Sequence, residues 1–442
     1  MRVRVAYGRG DLELELPGSA RVDVLEKRGV APLADPEAAL REALAAPIAA
    51  PPLRELARGR RDAAIAVSDH TRPVPNARLL PAILDALLEG GLAPDAVTLL
   101  VATGLHRPCT PAELDRVLGP GLARSLRIVQ HDARDAASHA DLGHSSGGLP
   151  IRVDRRFAGA DLRIVTGLVE PHLMAGYSGG RKAVCPGLAG IETIRVAHGA
   201  AMLEGRIGPG ILESNPLHED LTEIALRAGA DFIVNVALDR ERRVSGVFCG
   251  ELRAAFERGA AFVELEHAAA LAEPADLVIA SAGGDPLDAT FYQAIKGISA
   301  ASALVRPGGD ILLCASLTEG VGSASFERVL EACATPADFE RQLADPAFFA
   351  IDQWMVQHLC QAWRRARVWL YSDGLPRARA ERLLVQVAGH PGEVIEHALS
   401  RTPGRARVAV LPQGPYVLAT LRGEKRPLGA GRDVDLRAAS PA

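Results

Sequence analysis

The sequence predicts an α/β protein of two domains with a cleft between them, the N-terminal domain being the larger. Three observations predict it. Short apolar runs alternate with stretches of helical period, the pattern of strands joined by crossover helices into a parallel sheet. Those runs end in loops dense in polar residues, where open α/β sheets carry their sites. A break at Glu273-Pro274 is followed by a fresh strand-loop-helix series, which divides the chain into 1–273 and 274–442.

Taken in order, MRVRVAYGRGDLELELPG alternates charged and apolar residues as a surface hairpin does, and the Ala/Pro/Leu-rich stretch 36–52 reads as a short helix and linker. Ala63 to Val67 is a strand, ending in SDHTRPVPN, and Ala77 to Leu88 a helix closed by Gly90-Gly91. Val97 to Ala102 is the next strand. It leads through TGLHRPCT to a helix opened by Thr110-Pro111, with Glu113 at capping-box spacing. Strands follow at 126–130 and 162–167, then a helix at 194–202 bearing His198, a strand pair at 232–238 and 244–248, and a long helix at 252–271. The second series has a strand at 277–281, the loop AGGDPLDAT, a helix at 291–304, the turn RPGG and a strand at 311–315. A helix at 354–364 and strands at 368–371 and 408–411 complete it, the last of them a candidate to return to the N-terminal domain.

Composition narrows the function. With 50 basic against 54 acidic residues the net charge is −4, so no cationic surplus exists to neutralise a nucleic-acid backbone. The six cysteines lie far apart without a C-x-x-C pair, which suits a reducing compartment. No apolar run approaches the roughly 20 residues of a membrane span, and no signal-peptide core is visible, so a cytoplasmic protein without membrane partners is expected. Only Lys27, Lys182, Lys296 and Lys425 are lysines, against 46 arginines. In so arginine-biased a chain a retained lysine suggests a need for its amine, and Lys182 (SGGRK) and Lys296 (FYQAIKG) stand in glycine-containing motifs.

The commonest fingerprints are missing: no G-x-G-x-x-G follows a strand, and neither G-x-x-x-x-G-K-[ST] nor H-E-x-x-H occurs. Gly176 to Gly180 matches G-x-S-x-G but stands past its strand, away from a strand-to-helix turn. Its continuation through Ser178-Gly179-Gly180-Arg181-Lys182 also reads either as a phosphate cradle or as a turn with surface charge. His70, His106, His172 and His198 fall in or after the loops that leave the strands, whereas His131, His139 and His144 lie in a polar stretch that reads as exposed loop. Asp69 and Arg72 bracket the first loop, as an anion site or as a capped turn with a surface arginine.

Together these segments resemble a known family. SDHTRP (68–73), TGLHR (103–107), EPHLMAGYSGGRKAVCPG (170–187), RVAHG (195–199), DATFYQAIKG (288–297) and DQW (352–354) are similar, in order, to the motifs of the nickel-pincer lactate racemases. The resemblance implies a catalytic N-terminal domain and a smaller Rossmann-like C-terminal domain, with the active site in the interdomain cleft. It implies a pyridinium-3,5-bisthiocarboxylic-acid-type mononucleotide tethered to Lys182, with nickel held by the cofactor and by His198. His106 and His172 correspond to the catalytic pair. Arg72, Gln293, Lys296 and Trp354 correspond to substrate contacts, and Asp69, Ser178, Gly179, Gly180 and Arg181 to residues near the nucleotide, Asp69 near its ribose or Arg72. Tyr292 is either a cofactor contact or a packing residue. Cys185 is either a neighbour of the cofactor or an inert core residue.

The implied chemistry is coherent. Taking the C2 hydrogen of a 2-hydroxy acid as a proton would place a second negative charge beside the carboxylate, whereas hydride removal gives a planar 2-keto acid that can be reduced on its other face. Two substrate hands then call for two bases, and imidazoles serve near neutral pH. The expected partners are a small 2-hydroxy acid and, transiently, cofactor-synthesis enzymes. Lactate, malate, aryl-lactates and sugar acids are candidate substrates, and Leu173-Met174, where relatives often carry an aromatic, implies a roomier pocket beside His172. A nicotinamide-dependent dehydrogenase and a non-catalytic cofactor carrier are the competing readings.

Overall fold

A computed structural model describes residues 1–345, 348–402 and 404–422; Lys425 lies outside them. The chain forms two compact units, and neither is continuous in sequence. One contains Met1–Arg28, Gly199–Leu203 and the described residues from His267 to Arg422; the other contains Gly29–His198 and Glu204–Glu266. This differs from the expected division at 273/274, because the N-terminal segment belongs with the C-terminal sheet. Strand Arg21–Val24 pairs in parallel with Arg407–Leu411, and Val3, Val5, Leu14 and Leu16 of the hairpin share a core with Leu277, Ile279 and Leu312. The last strands also stay in this unit: Arg407–Leu411 pairs with Ala275–Ser281, and Leu418–Leu421 with Ala268–Leu271.

The unit containing Gly29–His198 is built on a six-stranded sheet in the order Val244–Gly250, Phe232–Leu238, Leu162–Leu168, Ala63–Ser68, Val97–Ala102, Arg127–Gln130. Every pairing is parallel except that of Phe232–Leu238 with Val244–Gly250. Leu162 to Leu168 and Ala63 to Val67 alternate little in polarity because both faces are covered, as parallel central strands require. From Ala63–Ser68 the chain adds Val97–Ala102 and Arg127–Gln130 on one side, then crosses back to place Leu162–Leu168 on the other. Such a reversal opens a crevice beyond the strands' carboxyl ends. Helix Pro111–Leu118 begins with the expected capping box between Thr110 and Glu113.

The other unit carries a second six-stranded sheet, parallel throughout, in the order Gln386–Val387, Ala366–Tyr371, Val305–Cys314, Ala275–Ser281, Arg407–Leu411, Arg21–Val24. The RPGG segment, expected as a turn, is absorbed into strand Val305–Cys314.

Three sequence expectations are corrected. The helix expected at 194–202 is Ile191–Ala197, which stops at His198, followed by a separate turn of helix at Ala200–Leu203 in the other unit. The long helix ends at His267, and Ala268–Leu271 is a strand, because a parallel partner at Leu418–Leu421 outweighs alanine's helix propensity. The stretch holding His139 and His144 is a hairpin, His139–His144 with Pro150–Asp154, and His131 and His139 are buried. Among the described residues no helix is long and apolar enough to cross a membrane.

Candidate active site

Three adjacent strands, Leu162–Leu168, Ala63–Ser68 and Val97–Ala102, deliver the loops that carry His172, Asp69 and His106 from the same edge of the sheet. Asp69 follows its strand directly and is 2% exposed. Its Oδ2 accepts from His106 Nδ1 at 2.7 Å, and its Oδ1 accepts from the Thr71 amide and hydroxyl at 3.1 and 2.6 Å. Burial alone would raise the Asp69 carboxyl, but the bond to His106, its charge, and Thr71 bring it below the ordinary range. Asp69 is thus an anion whose role is to hold His106 as well as to stand near Arg72, a partnership that the sequence reading did not assign. The His106 side chain is 44% exposed. With Nδ1 donating to Asp69, its Nε2 carries the lone pair, the arrangement in which a carboxylate orients a catalytic base. Arg72 donates from Nη1 to the Thr71 carbonyl at 3.1 Å.

His172 lies on the two-residue strand Pro171–His172, paired antiparallel with Gly176–Tyr177. Its Nδ1 accepts from the amides of Met174 and Ala175 at 3.2 and 3.1 Å. The carbonyls of this loop are held from the interior: Met174 O accepts from Asn215 Nδ2 and Ala175 O from Arg181 Nη2, both at 2.8 Å.

The segment after this loop explains itself largely as scaffold. Ser178 Oγ donates to Leu168 O at 2.6 Å and accepts from the Glu170 amide at 3.1 Å, so it is a buried staple and no nucleophile. Gly180 has φ +46° and donates its amide to Asn235 Oδ1 at 2.9 Å; a Cβ on Gly167 would lie 2.8 Å from that same Gly180 nitrogen. Close approach of the turn to the sheet, together with positive φ at Gly179 and Gly180, accounts for both glycines. The Arg181 guanidinium faces inward, 3.9 Å over the Phe256 ring, and burial lowers it to about 9. Lys182, half-buried, is the next residue on this braced turn. Asn235, which fastens it, escaped the sequence reading, although an asparagine inside the apolar run FIVNVAL was the signal. Cys185 is fully buried and its thiol is pushed up to about 12, which fits an inert core residue.

His198 caps helix Ile191–Ala197 and donates from Nδ1 to Ile194 O at 3.1 Å, leaving its lone pair at Nε2. Metal-binding imidazoles are commonly held in this way through the other ring nitrogen. Elsewhere His70, Cys109 and Glu113 bring ligand atoms within 4.8 Å of one another. They suit a metal poorly. Glu113 already accepts two bonds from Arg107, both at 2.7 Å, and the Thr110 amide, while His70 turns Nδ1 to Cys109 and Nε2 to Glu113.

In the other unit Gln293 and Lys296 stand one turn apart on helix Phe291–Ser302. Trp354 donates from Nε1 to Tyr292 Oη at 3.1 Å, and Tyr292 packs edge-on against Phe326.

Residues 7–208 match the family model for the lactate racemase N-terminal domain and residues 270–419 that for the lactate racemase C-terminal domain. The lactate racemase of Thermoanaerobacterium thermosaccharolyticum is 31% identical over 421 residues, 94% of this chain and 98% of that protein. That of Lactiplantibacillus plantarum is 35% identical over 376 residues, 84% and 88% of the two chains. The structure of the T. thermosaccharolyticum lactate racemase apoprotein superposes with a TM-score of 0.89 at 30% identity, covering 95% of this chain and all of that one. A Thermotoga maritima protein at 18% identity shares the fold, with a TM-score of 0.67. The chain belongs to the lactate racemase family and is an enzyme of the isomerase class.

Proposed function

We propose that the protein racemises or epimerises a 2-hydroxy acid of lactate type, with His106 and His172 exchanging the hydroxyl proton. The observation that carries this reading is the pair of partly exposed imidazoles at the carboxyl ends of nearby parallel strands, one backed by the buried carboxylate of Asp69. A binding protein has no need of a base oriented in this way. Asp69 stabilises the imidazolium formed when His106 takes the hydroxyl proton, and Arg72, four residues beyond strand Ala63–Ser68, is a cation suited to a carboxylate. In the other unit Gln293, Lys296 and Trp354 are proposed substrate contacts.

The residues present fit a nucleotide cofactor tethered to Lys182 and a nickel ion held through His198. His198 is oriented through Nδ1 in the manner common to metal-binding imidazoles, and Lys182 follows a turn braced by Asn235, Ser178 and Arg181. When bound, such a group supplies the electron-poor centre for reversible hydride uptake. The six cysteines are buried thiols, in keeping with a reducing cytoplasm.

Production with and without the cofactor-synthesis enzymes tests the reading. Intact-mass analysis is expected to find an adduct lost in Lys182→Arg, and metal analysis to find nickel lost in His198→Ala. Chiral chromatography across a series of lactate, malate, aryl-lactate and sugar acids is expected to show inversion at C2 for at least one member, with the C2 hydrogen retained in deuterium oxide because it travels as hydride. Adduct-bearing protein that inverts none of them overturns the racemase assignment and favours a carrier; a nickel content unchanged in His198→Ala overturns the ligand.

A further inference from the structure

The two imidazoles are held by opposite kinds of neighbour, and this makes them chemically unequal before any substrate arrives. His106 Nδ1 faces a carboxylate that can only accept, so that nitrogen must carry the hydrogen and Nε2 the lone pair. His172 Nδ1 faces two backbone amides that can only donate, so that nitrogen must carry the lone pair and Nε2 the hydrogen. Nor can the His172 environment adapt easily. The peptide joining Met174 to Ala175 is fixed at both ends, its carbonyl by Asn215 and its N–H by His172, and the next carbonyl is held by the buried Arg181.

We propose that the resting enzyme holds His106 as the Nδ1–H tautomer, ready to accept a proton at Nε2, and His172 as the Nε2–H tautomer, ready to donate a hydrogen bond from Nε2. Asp69 is the positioning residue for the first, and Asn215, through the Met174–Ala175 peptide, for the second. A hydroxyl facing His106 loses its proton directly: the O–H bond breaks, the Nε2–H bond forms, and Asp69 faces the resulting imidazolium. A hydroxyl facing His172 meets an N–H. To accept there, the ring must first move its proton to Nδ1, against two amide hydrogens. A neutral imidazole presenting its N–H to a substrate oxygen is a recognised electrophilic role. The two hands of the substrate therefore encounter unlike groups, in contrast to a symmetric pair of bases.

This inference deepens the racemase reading and rests on it for its functional meaning, but its test needs neither cofactor nor substrate. Histidine labelled with nitrogen-15 in both ring positions, followed by two-bond proton–nitrogen correlation of the full chain near pH 8, distinguishes the two tautomers and the imidazolium. His106→Gln and His172→Gln each remove one set of signals and so assign them. The expected pattern has a protonated Nδ1 and bare Nε2 for His106, and the reverse for His172. Finding the same tautomer in both rings, or an averaged pattern in either, overturns the proposal. Asp69→Asn supplies the second measurement: the His106 pattern is expected to shift toward Nε2–H while that of His172 stays unchanged, and an unchanged His106 pattern removes Asp69 from the positioning role. A chain with the expected tautomers but no inversion at C2 would leave this assignment standing and the racemase reading refuted.

Discussion

The two six-stranded sheets use their carboxyl ends differently. In the unit containing Gly29–His198 the loops after adjacent strands leave His106 and His172 partly exposed, each with one ring nitrogen fixed by the scaffold. In the other unit the polar groups after strand Ala275–Ser281 are consumed within the fold. Ser281 Oγ donates to Ala6 O at 2.5 Å, and Asp288, fully buried, accepts the amides of Gly8 and Ser316 at 2.6 and 3.1 Å. Two sheets of similar topology thus put the same kind of edge to different uses. The first presents two partly exposed imidazoles, and the second ties the N-terminal hairpin to its own core.

Substitution can break or sharpen this contrast. The largest effect is expected for His106→Ala, with kcat of the loaded enzyme falling on the order of 10²- to 10⁴-fold while the unfolding midpoint stays near that of the parent. Asp288→Ala should do the opposite. Leaving two buried amides without an acceptor costs about 2–3 kcal/mol, read as a lower urea midpoint. Between these lies Gly180→Ala, where φ +46° strains any Cβ; a loss of about 1–2 kcal/mol is expected, with a fall in Lys182 adduct formation because the turn moves. If Gly180→Ala destabilised the chain and left loading untouched, the turn would be scaffold alone.

The last effect is shared by both units and concerns pH. Burial, aided by Arg181, lowers His218 to about 3, and burial lowers His358 to about 4. Both are depressed below the unfolded value near 6.5, so the unfolded chain takes up protons first as pH falls. The stability these neutral rings retain above about pH 6.5 should therefore decline toward pH 4. Each contributes a slope of up to about 1.4 kcal/mol per pH unit, measurable by urea unfolding at pH 7 and 5. Replacing His218 by Gln should flatten the slope, and an unchanged slope would remove it from the account.

Much of this was legible locally. The strand at 63–67, the helix after Thr110-Pro111 and the strand pair at 232–238 and 244–248 rest on periodicity, capping and apolar runs, and each forms where expected. The loops bearing Asp69, His106 and His172 were legible too, because strand ends in a parallel sheet are where such residues gather. Failures came where distant chain decided. Helical pattern runs through 194–202, yet the chain changes unit after His198. His131 lies in polar sequence, yet its ring is enclosed between Asp154 and the Ala189 carbonyl, at 3.1 and 3.0 Å. No local pattern announces such partners.

By itself, then, the sequence determined the α/β class, most strands of the two six-stranded sheets and their order along the chain, and the residue types available for proton transfer, since these follow from short-range periodicity and side-chain chemistry. Only the tertiary structure decided that the first 28 residues join the C-terminal sheet, that Ser178, Gly180 and Arg181 brace a turn, and that His106 meets a carboxylate where His172 meets amides. Each of those outcomes depends on hydrogen-bond donors and acceptors brought together from remote positions, and the direction of a hydrogen bond is set by which groups meet.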